Sequence, residues 1–197
     1  TACFRKGTAK APDEIRKNSY NFETYLMELG VDISDVRAND YGNLELTKDQ
    51  EKNELLVTDI VAKIVSEGKF PIGFGGEHSI TPGSIKPFAK RYKELILLHF
   101  DAHADLRESY QGKKFSHASA IKRCLDYKNV KVVSFGIRNL SKPEMEFYNN
   151  NRNRIQIFWG KDKNKWDFSQ IEKHFNNKTV YITFDVDGFD ASIMPAT

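Results

Sequence analysis

Apolar and polar positions follow two different periods along the chain, and segments of each kind alternate. Short apolar runs typical of buried strands occur at residues 70–74, 94–100, 130–135, 155–158 and 180–184. Between Thr47 and Gly68 the apolar positions are instead three or four residues apart, which predicts an amphipathic helix. Residues 47–50 have the spacing of a capping box for its start, and Gly68 suits its end.

Further helices are predicted between the later strands. Thr81 begins one with Pro82 at its first position, and Ser141 begins another with Glu144 completing a capping box. Residues 117–125 and 168–175 have helical patterns as well. Because helices and strands alternate, we expect a three-layer α/β/α sandwich with a mainly parallel sheet. No linker or low-complexity segment interrupts it, so residues 1–197 are expected to form a single domain.

Three short segments combine acidic residues with histidine. They are residues 75–79 (Gly-Gly-Glu-His-Ser), 101–105 (Asp-Ala-His-Ala-Asp) and 184–190 (Phe-Asp-Val-Asp-Gly-Phe-Asp). All three lie at or just after the end of a predicted strand, where ligands collect in open parallel sheets. Side chains alternate along an extended segment, so Asp185 and Asp187 project to the same side, as Asp101, His103 and Asp105 do if the chain stays extended.

The charges of these residues indicate a metal site. Unpaired carboxylates at the edge of an apolar sheet are costly, and divalent cations remove the cost by taking the oxygens as ligands. Four carboxylates balance two dications, and two neutral imidazoles complete the donor set; the residues are Asp101, Asp105, Asp185, Asp187, His78 and His103. Nitrogen and oxygen donors without thiolate favour Mn²⁺, while Zn²⁺, Co²⁺ and Fe²⁺ stay possible and Mg²⁺ and Ca²⁺ suit histidine less.

With these motifs the chain resembles the ureohydrolase family of arginases and agmatinases over essentially its whole length. Residues 7–16, 116–118 and 134–138 are also similar to segments of that family. Three motifs in the same order make the resemblance specific, whereas a single Asp-x-Asp is weak evidence because it more often caps a loop.

The resemblance implies a binuclear manganese centre and assigns its ligands. His78, Asp101, Asp105 and Asp185 would surround one ion, and Asp101, His103, Asp185 and Asp187 the other. A hydroxide between the ions would attack a guanidinium carbon and release urea and an amine. His117 stands where the family has a histidine near the metals, and its imidazole is suited to passing a proton to the leaving amine.

The resemblance leaves the substrate more open. The loop from Asp105 to residue 118 is more similar to agmatinases than to arginases, which favours hydrolysis of agmatine to putrescine and urea. Another ureohydrolase, of the arginase, guanidinobutyrase or formimidoylglutamase type, is the alternative, followed by a non-catalytic paralogue; a single-zinc deacetylase is disfavoured. The family's guanidinium-binding acidic residue is expected beyond Thr197, and the chain is expected to be a fragment. Family members imply a homo-oligomer, either a trimer or a hexamer.

One further histidine and the two cysteines are not expected to belong to the metal site. His99 has the parity of Asp101 but lies inside its strand, so a hydrogen-bonded buried histidine is expected there and not a ligand. Cys3 and Cys124 lack paired-motif spacing, which fits reduced thiols in a cytoplasmic protein.

Composition is that of an ordinary globular enzyme. The net charge is +3 and the basic residues are spread among acidic ones, which argues against a nucleic-acid partner. No long apolar segment or signal-peptide pattern is present, so neither a membrane span nor secretion is expected from this sequence. The expected partner is a small guanidino compound.

Overall fold

The computed structural model describes residues 7–195 of the 197, which divide into two compact units. The smaller unit contains residues 7–46 and 72–77, and the sheet unit contains residues 47–71 and 78–195. The single domain expected for residues 1–197 stays a prediction. Cys3 lies outside the described residues, and Cys124 is a buried free thiol.

The smaller unit has little regular structure. A 3₁₀ turn at Thr8–Lys10 leads into helix α1, Ala11–Ser19, where Pro12 stands in the first turn. Strands β1, Tyr25–Leu26, and β2, Val31–Asp32, form a short antiparallel hairpin that the sequence pattern did not predict.

The sheet unit is built on four parallel strands. They are β3, Leu95–Phe100; β4, Val130–Phe135; β5, Ile155–Phe158; and β6, Val180–Phe184. Their order across the sheet is β5-β4-β3-β6, so β3 lies between β4 and β6. All four coincide with apolar runs in the sequence.

Helices connect these strands. They are α2, Gln50–Ser66; α3, Thr81–Arg91; α4, Ala120–Cys124; α5, Lys142–Asn150; and α6, Phe168–Ile171. Five 3₁₀ turns complete the described part of this unit, at His78–Ile80, His117–Ser119, Gly160–Lys165, Glu172–His174 and Val186–Gly188. No helix within residues 7–195 is long and apolar enough to cross a membrane.

Each face of the sheet has its own apolar core because strand side chains alternate between faces. Leu95 and Leu97 of β3 pack on one face with residues of α3, α4 and α5, while Ile96 packs on the other with Ile171 of α6. Helices therefore cover both faces. The predicted three-layer α/β/α architecture is confirmed.

Several local predictions were wrong. Residues 70–74 form no strand, since their backbone pairs with no other strand of the described chain and Pro71 lacks an N–H donor. The predicted capping box at residues 47–50 is also absent: Asp49 caps α2 by accepting from the N–H groups of Glu51 and Lys52. The segments 117–125 and 168–175 are helical, but each is partly 3₁₀.

Helices α2 and α3 approach each other closely at Gly83. A Cβ atom at Gly83 would lie 2.6 Å from the carbonyl oxygen of Glu54 and 3.1 Å from the Cβ of Val57. The hydroxyl of Thr58, which is 2.8 Å from the carbonyl oxygen of Glu54, is also within 3.1 Å of the Gly83 carbonyl oxygen across the same contact. The absence of a side chain at Gly83 thus sets the distance between the two helices.

We expect Gly83→Ala to destabilise the protein. Overpacking typically costs about 1–3 kcal/mol, and the better helix propensity of alanine returns up to about 1 kcal/mol. Thermal denaturation of Gly83→Ala, beside Gly73→Ala as the control, measures the effect. A Cβ at Gly73 would meet nothing within 4 Å, so that control should melt with the wild type. Equal stability of Gly83→Ala and wild type would contradict the close packing.

Candidate metal centre

The edge of the sheet where its parallel strands end brings two of the acidic motifs together. Phe100, the last residue of β3, is in register with Phe184, the last residue of β6. Asp101 and Asp185 are the next residues, and the Asp185 N–H donates to the carbonyl of Phe100 at 2.8 Å. The sheet register therefore places these two carboxylates side by side.

His78 reaches the same edge from the 3₁₀ turn that precedes α3. Its Nδ1 atom lies 2.9 Å from Oδ2 of Asp101, 3.0 Å from Oδ2 of Asp105 and 3.6 Å from Oδ2 of Asp185. Nδ1 is buried, and none of these contacts has hydrogen-bond geometry. One imidazole nitrogen thus faces three carboxylate oxygens.

His103 forms a second group on the other side of Asp101. Its Nδ1 atom lies 3.0 Å from Oδ2 of Asp187 and 3.5 Å from Oδ1 of Asp101. The two oxygens of Asp101 consequently face different histidines, Oδ2 towards His78 and Oδ1 towards His103. All six residues predicted as ligands are brought together in two groups that share Asp101.

Backbone donors orient the carboxylates. The His103 N–H donates to Oδ1 of Asp101 at 2.6 Å, and the Ala102 N–H donates to Oδ1 of Asp187 at 3.0 Å. The Asp187 N–H donates to Oδ1 of Asp185 at 3.1 Å. Each of these carboxylates has one oxygen held by the backbone, so its direction is fixed by the loops themselves.

A row of buried polar side chains lies directly below the carboxylates. Ser134, His99 and Thr183 are in register on β4, β3 and β6, and we call them the polar row. Nδ1 of His99 is 3.0 Å from the Ser134 hydroxyl, and its Nε2 is 2.9 Å from Oδ2 of Asp101. Thr183 contacts Nε2 of His78 at 3.1 Å. The row therefore supports both Asp101 and His78.

His99 is close enough to Asp101 and His78 to be grouped with them as a metal-binding cluster, but its hydrogen bonds argue against that role. Since the Asp101 carboxylate can only accept, Nε2 of His99 carries the proton and Nδ1 accepts from Ser134. Both nitrogens are engaged, and no lone pair remains for a cation. The prediction that His99 is buried and hydrogen-bonded is confirmed, and its place outside the ligand set stays a prediction.

The concentrated negative charge shifts the pKa values of the groups around it. Burial lowers the pKa of His78, but the carboxylates of Asp101 and Asp105 outweigh burial and raise it well above its usual value. The neighbouring carboxylates of Asp101 and Asp187 raise the pKa of His103 to about 10. Burial raises the pKa of Asp105, and burial together with the charge of Asp101 raises that of Asp185. These shifts show that a positive charge placed among the carboxylates is stabilised there.

The donor set fits a pair of divalent cations. A buried Nδ1 that faces three carboxylate oxygens without a hydrogen bond is the arrangement of a ligand, and its Nε2 is held by Thr183 as ligating histidines usually are. Imidazole and carboxylate donors without thiolate suit Mn²⁺ and related ions.

His117 lies in the 3₁₀ turn before α4, and this turn packs against the turn that carries His78. Its ring is half-buried and meets the Tyr110 ring edge-on, with the centroids 5.5 Å apart. The backbone N–H of Arg107 donates to the carbonyl of Ala118, which ties the His117 turn to the loop after Asp105. His117 is therefore adjacent to the His78 segment.

Some supporting residues were missed by the sequence reasoning. Thr81 extends the support of His78, since its hydroxyl is 2.8 Å from that of Thr183. The guanidinium of Arg138 donates to the carbonyl of Asp187 at 2.6 Å and so holds that loop. The parity of Thr183 with Asp185 was an available signal, but nothing in the sequence pairs Arg138 or Thr81 with the motifs.

The chain is similar to known proteins over its whole length. The family model described as the arginase family matches residues 1–197. The chain is 33% identical to the agmatinase of Bacillus anthracis over 207 residues and 33% identical to that of Bacillus subtilis over 199 residues, covering 100% of this chain and 67% of each relative. The solved structure of the agmatine ureohydrolase of Thermoplasma volcanium superposes with a TM-score of 0.87 at 34% identity, covering 100% of this chain and 66% of that one. The chain belongs to the arginase family.

Proposed function

We propose that this protein is an agmatinase, a hydrolase of linear amidines that converts agmatine to putrescine and urea. One observation carries the proposal: two groups of imidazole and carboxylate donors share Asp101 at the end of a parallel sheet. Membership of the arginase family supports the reaction class, and the agmatinases among the relatives support the substrate.

Two Mn²⁺ ions are the proposed cofactors. His78, Asp101, Asp105 and Asp185 would hold one ion, and Asp101, His103, Asp185 and Asp187 the other. When bound, the pair would supply Lewis acidity that activates water for attack near neutral pH. Asp101 would bind both ions because its two oxygens face different histidines. The family resemblance supports the same shared role for Asp185.

Side chains of the protein would carry out the proton transfer and hold the ligands in place. A ring nitrogen of His117 would pass a proton to the amine that leaves the tetrahedral carbon, because an imidazole exchanges protons readily near neutral pH. Tyr110 packs edge-on against this ring and would restrict its orientation. The polar row would keep Asp101 and His78 in place during turnover.

The family resemblance also supports a homo-oligomer, a trimer or a hexamer, that acts on a small guanidino compound. We place it in the cytoplasm, because two cysteines without paired-motif spacing fit reduced thiols.

The first prediction concerns metal content. The full-length protein should bind two Mn²⁺ per chain, and Asp101→Asn should lose most of both because Asp101 faces both histidines. Asp187→Asn is the matched control, since Asp187 contacts His103 alone of the two histidines, and it should retain close to one ion. Elemental analysis after equilibrium dialysis measures both. A wild-type protein that binds a single ion would refute the binuclear site.

The second prediction concerns His117. His117→Asn should lower kcat by roughly 10²-fold or more, the usual contribution of a general acid or base, while metal content stays at the wild-type value. His174→Asn is the control, because that half-buried histidine packs against Phe158 instead. If His117→Asn keeps full turnover, the residue has no role in proton transfer.

The third prediction concerns the substrate. Agmatine lacks the α-carboxylate of arginine, so a site shaped for agmatine offers that charged group no partner and burying it is costly. We expect kcat/KM for agmatine to exceed that for arginine by roughly 10²-fold or more. Urea release from agmatine, arginine and guanidinobutyrate tests this. A preference for either of the other compounds would assign the protein to another ureohydrolase type, and no urea from any of them would indicate a non-catalytic paralogue.

A further inference from the structure

Glu144 is a buried carboxylate outside the proposed ligand set. It lies in the first turn of α5, where its Oε2 accepts from the backbone N–H and the hydroxyl of Ser141, both at 2.7 Å. This capping box was predicted from the sequence and is confirmed. A capping box uses one oxygen of the glutamate, and only 4% of Glu144 is exposed. Its second oxygen must therefore find another donor.

That second donor lies in the loop of the candidate metal centre. Oε1 of Glu144 accepts from the backbone N–H of Leu106 at 3.0 Å. Leu106 directly follows Asp105, whose carboxylate oxygen is 3.0 Å from Nδ1 of His78. One carboxylate thus joins the start of α5 to the backbone beside a proposed metal ligand.

The backbone at Asp105 needs such support. Its φ angle is +50°, in the left-handed region that residues with a side chain rarely adopt. The peptide group between Asp105 and Leu106 is held at both of its polar atoms. Its oxygen accepts from the Lys122 N–H at 3.0 Å, and its N–H donates to Glu144. These two bonds fix the plane of the peptide and hence the ψ angle of Asp105.

We propose that Glu144 is a positioning residue that holds Asp105 in this conformation and so aims its carboxylate at the ion bound by His78. The inference rests on the proposed function, because it needs the ligand role of Asp105. Asp105 contacts His78 and not His103, so loss of Glu144 should weaken one metal site and spare the other.

The test is calorimetric titration of Mn²⁺ into metal-free full-length protein. Glu144→Ala removes both acceptor oxygens, so the N–H of Leu106 loses its bond to this side chain. We expect one of the two sites to lose affinity by roughly 10-fold or more, as is usual when a group that orients a ligand is removed. The second site should stay within twofold of wild type.

Ser141→Ala is the matched control. It removes the hydroxyl bond to Oε2 of Glu144 and weakens the cap of α5, but it leaves the bond from Leu106 to Oε1 intact. It should lower Tm while both sites keep wild-type affinity. If Glu144→Ala does not fold, Glu144→Asp serves in its place, because the shorter side chain keeps the charge and cannot span both donors.

The outcomes separate the two ideas. If wild type binds two ions and releases urea from agmatine, but the Glu144 variants change neither affinity or change both equally, the positioning role is refuted and the proposed function stands. If wild type does not bind two ions, the proposed function fails and the inference fails with it.

Discussion

The cost of burying carboxylates at the end of an apolar sheet is the constraint on which the rest of this structure depends. Asp101 is 1% exposed, so water cannot satisfy its oxygens. Two donors satisfy these oxygens instead: His99 of the polar row donates to Oδ2, and the backbone N–H of His103 in the loop donates to Oδ1. These hydrogen bonds do not neutralise the charge of the carboxylates, and one nitrogen of each of two imidazoles faces that charge. A pair of cations would neutralise the charge and take those nitrogens as ligands.

The backbone is also packed closely at this edge of the sheet. A Cβ atom at Gly188 would lie 3.0 Å from the backbone nitrogen of Asp101, so only glycine lets the loop after β6 lie against the end of β3. On the face of the sheet opposite the polar row, neighbouring aromatic rings form a row across all four strands: Phe158, Phe135, Phe100 and Phe184. Gly188 thus lets the loop that carries Asp187 approach Asp101, and the aromatic rings pack together at the ends of the strands that precede both loops.

The strands and the six proposed ligands could be predicted because their signals are local. An apolar run followed by Asp-x-His or Asp-x-Asp indicates a buried strand that ends in a polar loop. The predicted alternation of side chains does not extend past the strands, because Asp187 lies in a 3₁₀ turn and Asp105 has a φ angle of +50°. The polar row could not be predicted in the same way. That Ser134 and Thr183 flank His99 depends on the register of three strands, which comes from tertiary packing. Residues 70–74 show the opposite error, since an apolar run becomes a strand only where another strand pairs with it.

Glu144 illustrates a further limit of local patterns. Its spacing from Ser141 predicted a capping box, and that reading accounts for only one of its two oxygens. The other oxygen reaches the peptide after Asp105, a contact that no periodicity encodes because the φ angle of Asp105 is set by the loop around it. A helix cap and a metal-site loop are thereby linked through one buried carboxylate. Although α5 contributes none of the proposed ligands, its first turn therefore bears on the conformation of Asp105 and, through it, on the ion proposed at His78.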